Sequence, residues 1–314
     1  MNFTLDMLLN LRRLTLADTA IRADLLAGKY RRLTPEVVIW EETWRRLPPW
    51  EQALARTYAF GVSADRAVLS GKSAARVLGI ATVGSDPLVE MTYPNPKSFR
   101  ARRSWPPHTV FRSSALSEDE VCVVDGIRVT TTFRTLRDVA RYHGVVAGVV
   151  AIDDLRRKSP GLSIEDLHRS MTVEQRYHGV GAVRQAIDLS GDSADSPLES
   201  MARVILVRAG VGRIQTQGQI RPSRGTTTYR VDLLIDGWLI VELDGNVKYD
   251  GATFGKRADE VIRAERQREK ELQNAGFLVL RATFADLSPR EDGGCGLLDM
   301  VAAAQRRRTT RPSA

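Results

Sequence analysis

Residues 231–244 read Val-Asp-Leu-Leu-Ile-Asp-Gly-Trp-Leu-Ile-Val-Glu-Leu-Asp. Two apolar runs flank the pair Asp236-Gly237, a turn signal that closes tight β-hairpins. The segment therefore commits this part of the chain to two adjacent antiparallel strands. It also sets a chemical problem. Asp232 lies in the first apolar run, and Glu242 and Asp244 lie in the second. Carboxylates among apolar strand residues need something to offset their charge. A divalent cation does so; an arginine partner, or solvent at the strand ends, does so equally well.

Side chains alternate between faces along a strand. A two-residue turn at Asp236-Gly237 pairs Asp232 with Val241 and sends Glu242 to the opposite face. An odd-length loop, or one bulge, brings Asp232 and Glu242 to the same face. The metal reading therefore requires a three- or five-residue loop, or a bulge. Carboxylates so placed repel and raise each other's pKa. Mg²⁺, or Mn²⁺ in its stead, relieves the repulsion with oxygen ligands at about 2.0–2.1 Å. Such an ion activates water and stabilises charge on a phosphoryl oxygen. On this reading Asp232, Glu242 and Asp244 are the metal ligands.

Upstream, Ser196-Pro197-Leu198-Glu199 has the form of a helix start, with Ser196 at the N-cap, Pro197 at N1 and Glu199 at N3 of a capping box. Glu199 either only caps or also supplies a further carboxylate to the cluster, and the two roles are compatible. After the hairpin, residues 245–249 read as a loop carrying Lys248. Residues 258–275 read as a helix with Gly276 at its C′ position. Its apolar stripe is thin (Val261, Ile262, Leu272, Ala275), as in a solvated surface helix. Arg263, Arg266 and Arg268 on it either pair with neighbouring acids or contact phosphates. Residues 277–280 read as a buried strand that ends in Arg281-Ala-Thr.

Residues from about 194 to 290 resemble a bacterial family of very-short-patch-repair-endonuclease-like domains in the PD-(D/E)XK nuclease superfamily. The resemblance is carried by Ser196-Pro-Leu-Glu199, Arg230-Val-Asp232 and Val241-Glu-Leu-Asp-Gly245. Glu265-Arg-Gln-Arg-Glu269 with Leu272, and Gly276-Phe-Leu-Val-Leu-Arg281-Ala-Thr, complete it. It implies an α/β fold in which a mixed sheet is flanked by helices. It maps the superfamily's helix-borne acid to Glu199, its metal-binding aspartate to Asp232 and its second acid to Glu242. Asp244 stands where the superfamily has lysine, and Lys248 is the nearby candidate for that cation.

In the N-terminal half, Thr15 to Ala27 has helical apolar spacing. Residues 28–40 look like the wing hairpin of a small winged helix-turn-helix, with Lys29, Arg31 and Arg32 positioned for phosphate contacts. An ordinary basic hairpin is the alternative. Leu69 to Ile80 and Gly126 to Ala140 resemble the type IV abortive-infection antitoxin (AbiEi-like) region, over roughly residues 10–145. That resemblance implies a winged-helix and α+β region ahead of the nuclease-like domain, and a toxin protein as a partner. Gly71-Lys72-Ser73 mimics the end of a phosphate-binding loop, but Arg66 stands where the required first glycine belongs. Ser70 is instead expected to cap the helix that follows.

At 314 residues two or three domains are expected. The boundaries read as a winged-helix segment at 1–40, an α+β domain at 41–145, a helical connector at 146–193 and the nuclease-like domain at 194–314. A net charge of +8 favours a nucleic-acid partner. Arg306, Arg307, Arg308 and Arg311 read as a flexible basic tail. Cys122 and Cys295 suggest neither a disulfide nor a zinc site, and His108, His143, His168 and His178 have no ligand spacing. No apolar span is long enough to cross a membrane and the N-terminus lacks a signal-peptide layout, so a cytoplasmic protein is expected.

These readings converge on a Mg²⁺-dependent DNA endonuclease targeted by its N-terminal module. Glu199, Asp232, Glu242, Asp244 and Lys248 are its candidate catalytic residues. Arg263, Arg266, Arg268 and Arg281, with the wing cations, are the candidate DNA contacts. The competing reading is a DNA-binding regulator or antitoxin whose nuclease fold has lost its chemistry.

Overall fold

The computed structural model describes residues 1–84, 86–95, 105–172, 177–221, 227–245 and 257–309, the side chains of 257–262 and 309 excepted. Lys248 and Arg311, and the side chains of Val261 and Ile262, lie outside the described residues. The chain is mixed α/β and divides into two units. One comprises residues 1–151 and 162–188, the other residues 152–161 and 189–314.

The first unit begins with β1 (Leu8–Asn10), α1 (Thr19–Leu26), β2 (Tyr30–Arg32) and β3 (Val37–Trp40), the strands forming an antiparallel sheet in the order β1-β3-β2. The expected hairpin is therefore present. Its cations are engaged, however. Lys29 Nζ lies 2.7 Å from Asp24, and Arg31 makes a two-pronged contact to Glu41 at 2.8 and 2.9 Å. Arg32 donates to the Pro35 carbonyl. Arg31 and Arg45 together hold the Glu41 carboxyl down at about 2.

Next come α2 (Glu41–Arg46), α3 (Pro49–Ser63), β4 (Val68–Leu69), α4 (Gly71–Val77), β5 (Val89–Tyr93), β6 (Thr109–Ser113), β7 (Val121–Val124) and β8 (Ile127–Thr130). The five strands order as β6-β5-β4-β8-β7, with parallel pairs β5–β6 and β4–β8. Their apolar side chains join Phe3, Ile39, Tyr58 and Phe60 in one core. Burial on that scale stabilises by about 1.5–3 kcal/mol per large side chain. The helices α5 (Thr132–Lys158), α6 (Ile164–Met171) and α7 (Val180–Asp188) follow. Gly144, at φ 84°, kinks α5. Ser163 and Asp166 form the capping box expected for α6.

Ser70 does sit at the N-cap position of α4, but its side chain does not cap the helix. Its hydroxyl accepts from Thr92 Oγ1 at 2.8 Å instead, because β5 runs alongside and offers a nearer donor. Lys72 Nζ donates to the Val83 carbonyl and Ser73 Oγ accepts from the Glu90 N–H, so the phosphate-loop look-alike is used up internally. Gly71 has φ +52°, and a Cβ there would lie 2.1 Å from Glu90 Oε2. Gly71→Ala is expected to cost at least about 2 kcal/mol from backbone strain and overpacking. Urea unfolding measures it, and an unchanged midpoint would contradict the close approach.

The second unit contains α8 (Pro197–Arg208), β9 (Ile214–Ile220), β10 (Tyr229–Ile235), β11 (Leu239–Asp244), α9 (Arg257–Asn274), β12 (Leu278–Thr283), α10 (Phe284–Leu287) and α11 (Gly296–Thr309). Its sheet is mixed, in the order β12-β11-β10-β9. The pair β11–β12 is parallel, which requires a long crossover, and α9 lies within it. Val231, Leu233, Ile235, Leu239 and Val241 are wholly buried, and Leu272 of α9 packs in a cluster with Ile240, Leu234 and Val279. β12 is mostly half-buried rather than buried, its outer edge being the margin of the sheet. Arg306 to Arg308 are not a loose tail: they form the last turn of α11, and Arg308 stacks on Trp238 at 4.5 Å. A buried apolar face (Leu297, Val301, Ala304) draws that helix onto the core.

Candidate active site

The hairpin register is Leu233↔Val241, Leu234↔Ile240 and Ile235↔Leu239, leaving Asp236, Gly237 and Trp238 as a three-residue loop. Asp236 and Gly237 both have positive φ, 48° and 71°. Trp238 N–H closes the turn on the Ile235 carbonyl at 3.1 Å. The odd length continues the register to Asp232 opposite Glu242, on one face of the sheet. Position 217 of β9 stands opposite Asp232 on the other side, between the pairs Val231↔Gly218 and Leu233↔Thr216.

Asp232 is half-buried, and its Oδ2 accepts the Leu243 N–H at 2.8 Å. Glu242, 14% exposed, has Oε1 2.7 Å from Arg268 Nη2. Its carboxyl is pushed up to about 7, chiefly by burial, with the neighbouring charges of Asp232 and Glu265 adding to the rise and Arg268 opposing it. One arginine therefore offsets the pair only in part.

Arg268 is itself spread thin. It also donates to the Arg230 carbonyl at 2.8 Å and to Glu265 at 3.2 Å. Arg281 bridges Glu265 and Glu269 at 2.9 and 3.3 Å. The two helical acids, to which the sequence assigned no role, thus hold the arginines. The recess lined by Glu242, Glu265, Arg268 and Arg281 has no room for a water molecule. Arg263 and Arg266 are exposed on α9 and make no ion pair among the described residues.

Glu199 is buried at the helix start, but only half of the expected capping box forms, because its carboxylate takes the N–H of Asp195 rather than that of Ser196. Its Oε2 accepts the Asp195 N–H at 2.9 Å and its Oε1 accepts from Ser196 Oγ at 2.8 Å. Ser196 Oγ accepts the Glu199 N–H at 3.2 Å in return. Gln217 Nε2 also donates to Glu199. None of these hydrogen bonds links Glu199 to Asp232 or Glu242; Gln217, which donates to Glu199, stands opposite Asp232 in the sheet. Gln217 has φ +52°, an unfavourable backbone state for a non-glycine residue in a strand. Sequence reasoning missed this residue. The alternation Ile214, Thr216, Gly218, Ile220 signals β9, but nothing in the sequence signals the strained backbone.

Asp244 is exposed at the end of β11, level with Thr283 of β12. Among the described residues no three His, Cys, Asp or Glu side chains converge as a metal cluster. The donor set that the fold brings together is the pair Asp232 and Glu242. It suits Mg²⁺, which is commonly held by one or two carboxylates with water completing its shell. It does not suit an all-protein cage. No protein-family model matches this chain, and no curated protein matches it either.

Proposed function

We propose that the second unit is a Mg²⁺-dependent DNA endonuclease of the PD-(D/E)XK type. The observation that carries this reading is the three-residue hairpin loop, which sets Asp232 opposite Glu242 at a half-buried position. Two carboxyls there, one of them raised to about 7, are short of positive charge. A divalent cation is the compensation that also performs chemistry.

Asp232 and Glu242 would hold the ion, which when bound supplies Lewis-acid stabilisation to a phosphoryl oxygen. The Leu243 N–H fixes one oxygen of Asp232, and Arg268 fixes one oxygen of Glu242. Each carboxyl thus keeps a second oxygen for the ion. Asp244, exposed at the strand end, would orient water. Glu199 would act indirectly, by holding Gln217 beside Asp232. Arg263, Arg266 and Arg281 would face the DNA backbone. Cleavage of supercoiled plasmid with and without Mg²⁺ tests the reading; a protein that binds DNA and Mg²⁺ but never cuts any DNA offered would defeat it.

The first unit, in an AbiEi-like winged-helix role, would add DNA affinity. Two of its three wing cations, Lys29 and Arg31, are already paired with carboxylates of the same unit. Arg31→Gln is therefore expected to leave the salt dependence of DNA binding unchanged. Arg263→Gln and Arg266→Gln should each reduce the slope of log K against log salt by about one. Fluorescence anisotropy across a salt series measures both.

A second reading has one observation in its favour. Arg268 already places a cation 2.7 Å from Glu242, which is what a DNA-binding regulator or antitoxin with a silent nuclease fold would retain. Calorimetry with Mg²⁺ separates the two, since that fold has no use for the ion.

A further inference from the structure

The first unit holds a cluster of arginines that the nuclease reading does not use. Arg134, Arg137 and Arg141 lie on one side of α5, and Arg112 comes from β6. Three carboxylates answer these four cations: Glu120, Asp138 and Glu90. His143 Nε2 also lies 2.5 Å from Glu90. Arg134 is satisfied: it reaches Asp138 at 3.0 Å, Glu120 at 2.6 Å and Ser114 at 3.1 Å.

The other three arginines are arranged differently. Arg112 and Arg141 both stack on the Tyr142 ring, at 4.3 and 4.6 Å. Arg141 and Arg137 both stack on the Tyr177 ring, at 5.1 and 5.5 Å. The result is a ladder, Arg112–Tyr142–Arg141–Tyr177–Arg137. Stacking occupies the faces of a guanidinium and leaves its N–H groups to donate from the edge. The Nε atoms of Arg112, Arg137 and Arg141 are buried and have no hydrogen-bond partner among the described residues, and neither have two acceptors of the cluster, Glu90 Oε2, 3.9 Å from Arg112, and Asp138 Oδ1, 3.8 Å from Arg141. Buried donors of charged groups are costly to leave unmade. Arg137 Nη2 reaches Glu120 and Arg141 Nη1 reaches Ser114 at 3.3 Å, so one nitrogen of each of these two forks is held in place.

We propose that Arg112, Arg137 and Arg141 form an anion site that takes a phosphate monoester. The cluster has one more cation than carboxylates, so an anion balances it. A phosphate monoester offers three terminal oxygens to guanidinium donors, where a carboxylate offers two. Arginine forks match phosphate oxygens in two-pronged geometry. Arg112 is the most accessible of the three, its side chain 27% exposed against 8% and 10% for Arg137 and Arg141. The site belongs to the first unit alone and does not depend on the nuclease reading.

Calorimetric titration of the full chain at constant ionic strength tests it. The probes are inorganic phosphate, a nucleoside monophosphate, and one oligonucleotide with and without a 5′-phosphate. Saturable binding of the phosphate-bearing probes is expected. The tighter of the mononucleotide and the phosphorylated oligonucleotide tells which source the site prefers. Arg112→Gln, at the exposed end and without a close ion pair, should weaken binding by at least about tenfold while circular dichroism stays unchanged. Arg141→Gln should abolish it. Failure of wild-type protein to bind any phosphate-bearing probe would overturn the proposal. So would equal affinity of wild type and Arg112→Gln, or an oligonucleotide affinity indifferent to the 5′-phosphate combined with no binding of the smaller probes.

Discussion

Asp232→Asn and Glu242→Ala are each expected to lower Mg²⁺-dependent plasmid cleavage by at least about 100-fold, the scale on which loss of a preorganised charge-stabilising group is felt. DNA affinity should not change, because neither carboxylate attracts a polyanion. Asp232→Asn is chosen because an amide oxygen still accepts the Leu243 N–H that Asp232 accepts at 2.8 Å. Lost activity then reports chemistry rather than a disrupted strand. Asp244→Ala should cost less than about tenfold, since Asp244 is exposed and stands apart from the pair. Equal loss in all three variants would point to a three-carboxylate site. Retained cutting in Asp232→Asn would move the chemistry elsewhere.

Glu242→Gln is expected to be inactive and yet more stable than wild type at about pH 8. The Glu242 carboxyl is raised from 4.5 to about 7, with burial the largest cause and the Asp232 charge also contributing. Its folded-state proton is therefore held more tightly than its unfolded-state proton. Between these two values the folded protein keeps a proton that the unfolded chain has released, so stability falls as pH rises through the window. It is highest below the lower value and the loss is complete above the upper one. Glutamine stays neutral throughout. The variant should gain on the order of 2 kcal/mol over wild type above the window, after allowance for solvent screening, and nothing below it. Millimolar Mg²⁺ should close the gap by stabilising wild type alone. Urea unfolding at the two ends of the window, with EDTA and with Mg²⁺, measures this. A variant less stable than wild type above the window would mean that the Arg268–Glu242 pair is a net stabiliser.

The carboxylate pair was legible in part because strand alternation is strict: the metal reading required an odd loop or a bulge, and the loop has three residues. The helices over 164–171, 197–208 and 257–274 were legible from caps and spacing for the same local reason. What the sequence concealed was pairing at a distance. Arg268 read as a phosphate contact, yet it binds Glu242 twenty-six positions away. Arg31 read as a DNA-facing cation, yet Glu41 holds it from the start of the next helix. The terminal arginines read as a tail because their charge is obvious, whereas the apolar face of α11 that fixes them is spaced out. The arginine–tyrosine ladder spans residues 112 to 177 and has no sequence signature at all.

The loop at Asp236, Gly237 and Trp238 acts as a parity bit for the second unit. Deleting Gly237, or inserting one residue beside it, would turn Glu242 away from Asp232 while preserving both residues in any alignment. Inserting two would restore the pairing. Relatives of this chain that keep both acids should therefore divide by loop length into those with odd loops and facing acids and those with even loops and acids on opposite faces. Counting residues between two strands, rather than looking for conserved carboxylates, would sort chains whose two acids face each other from those whose acids do not.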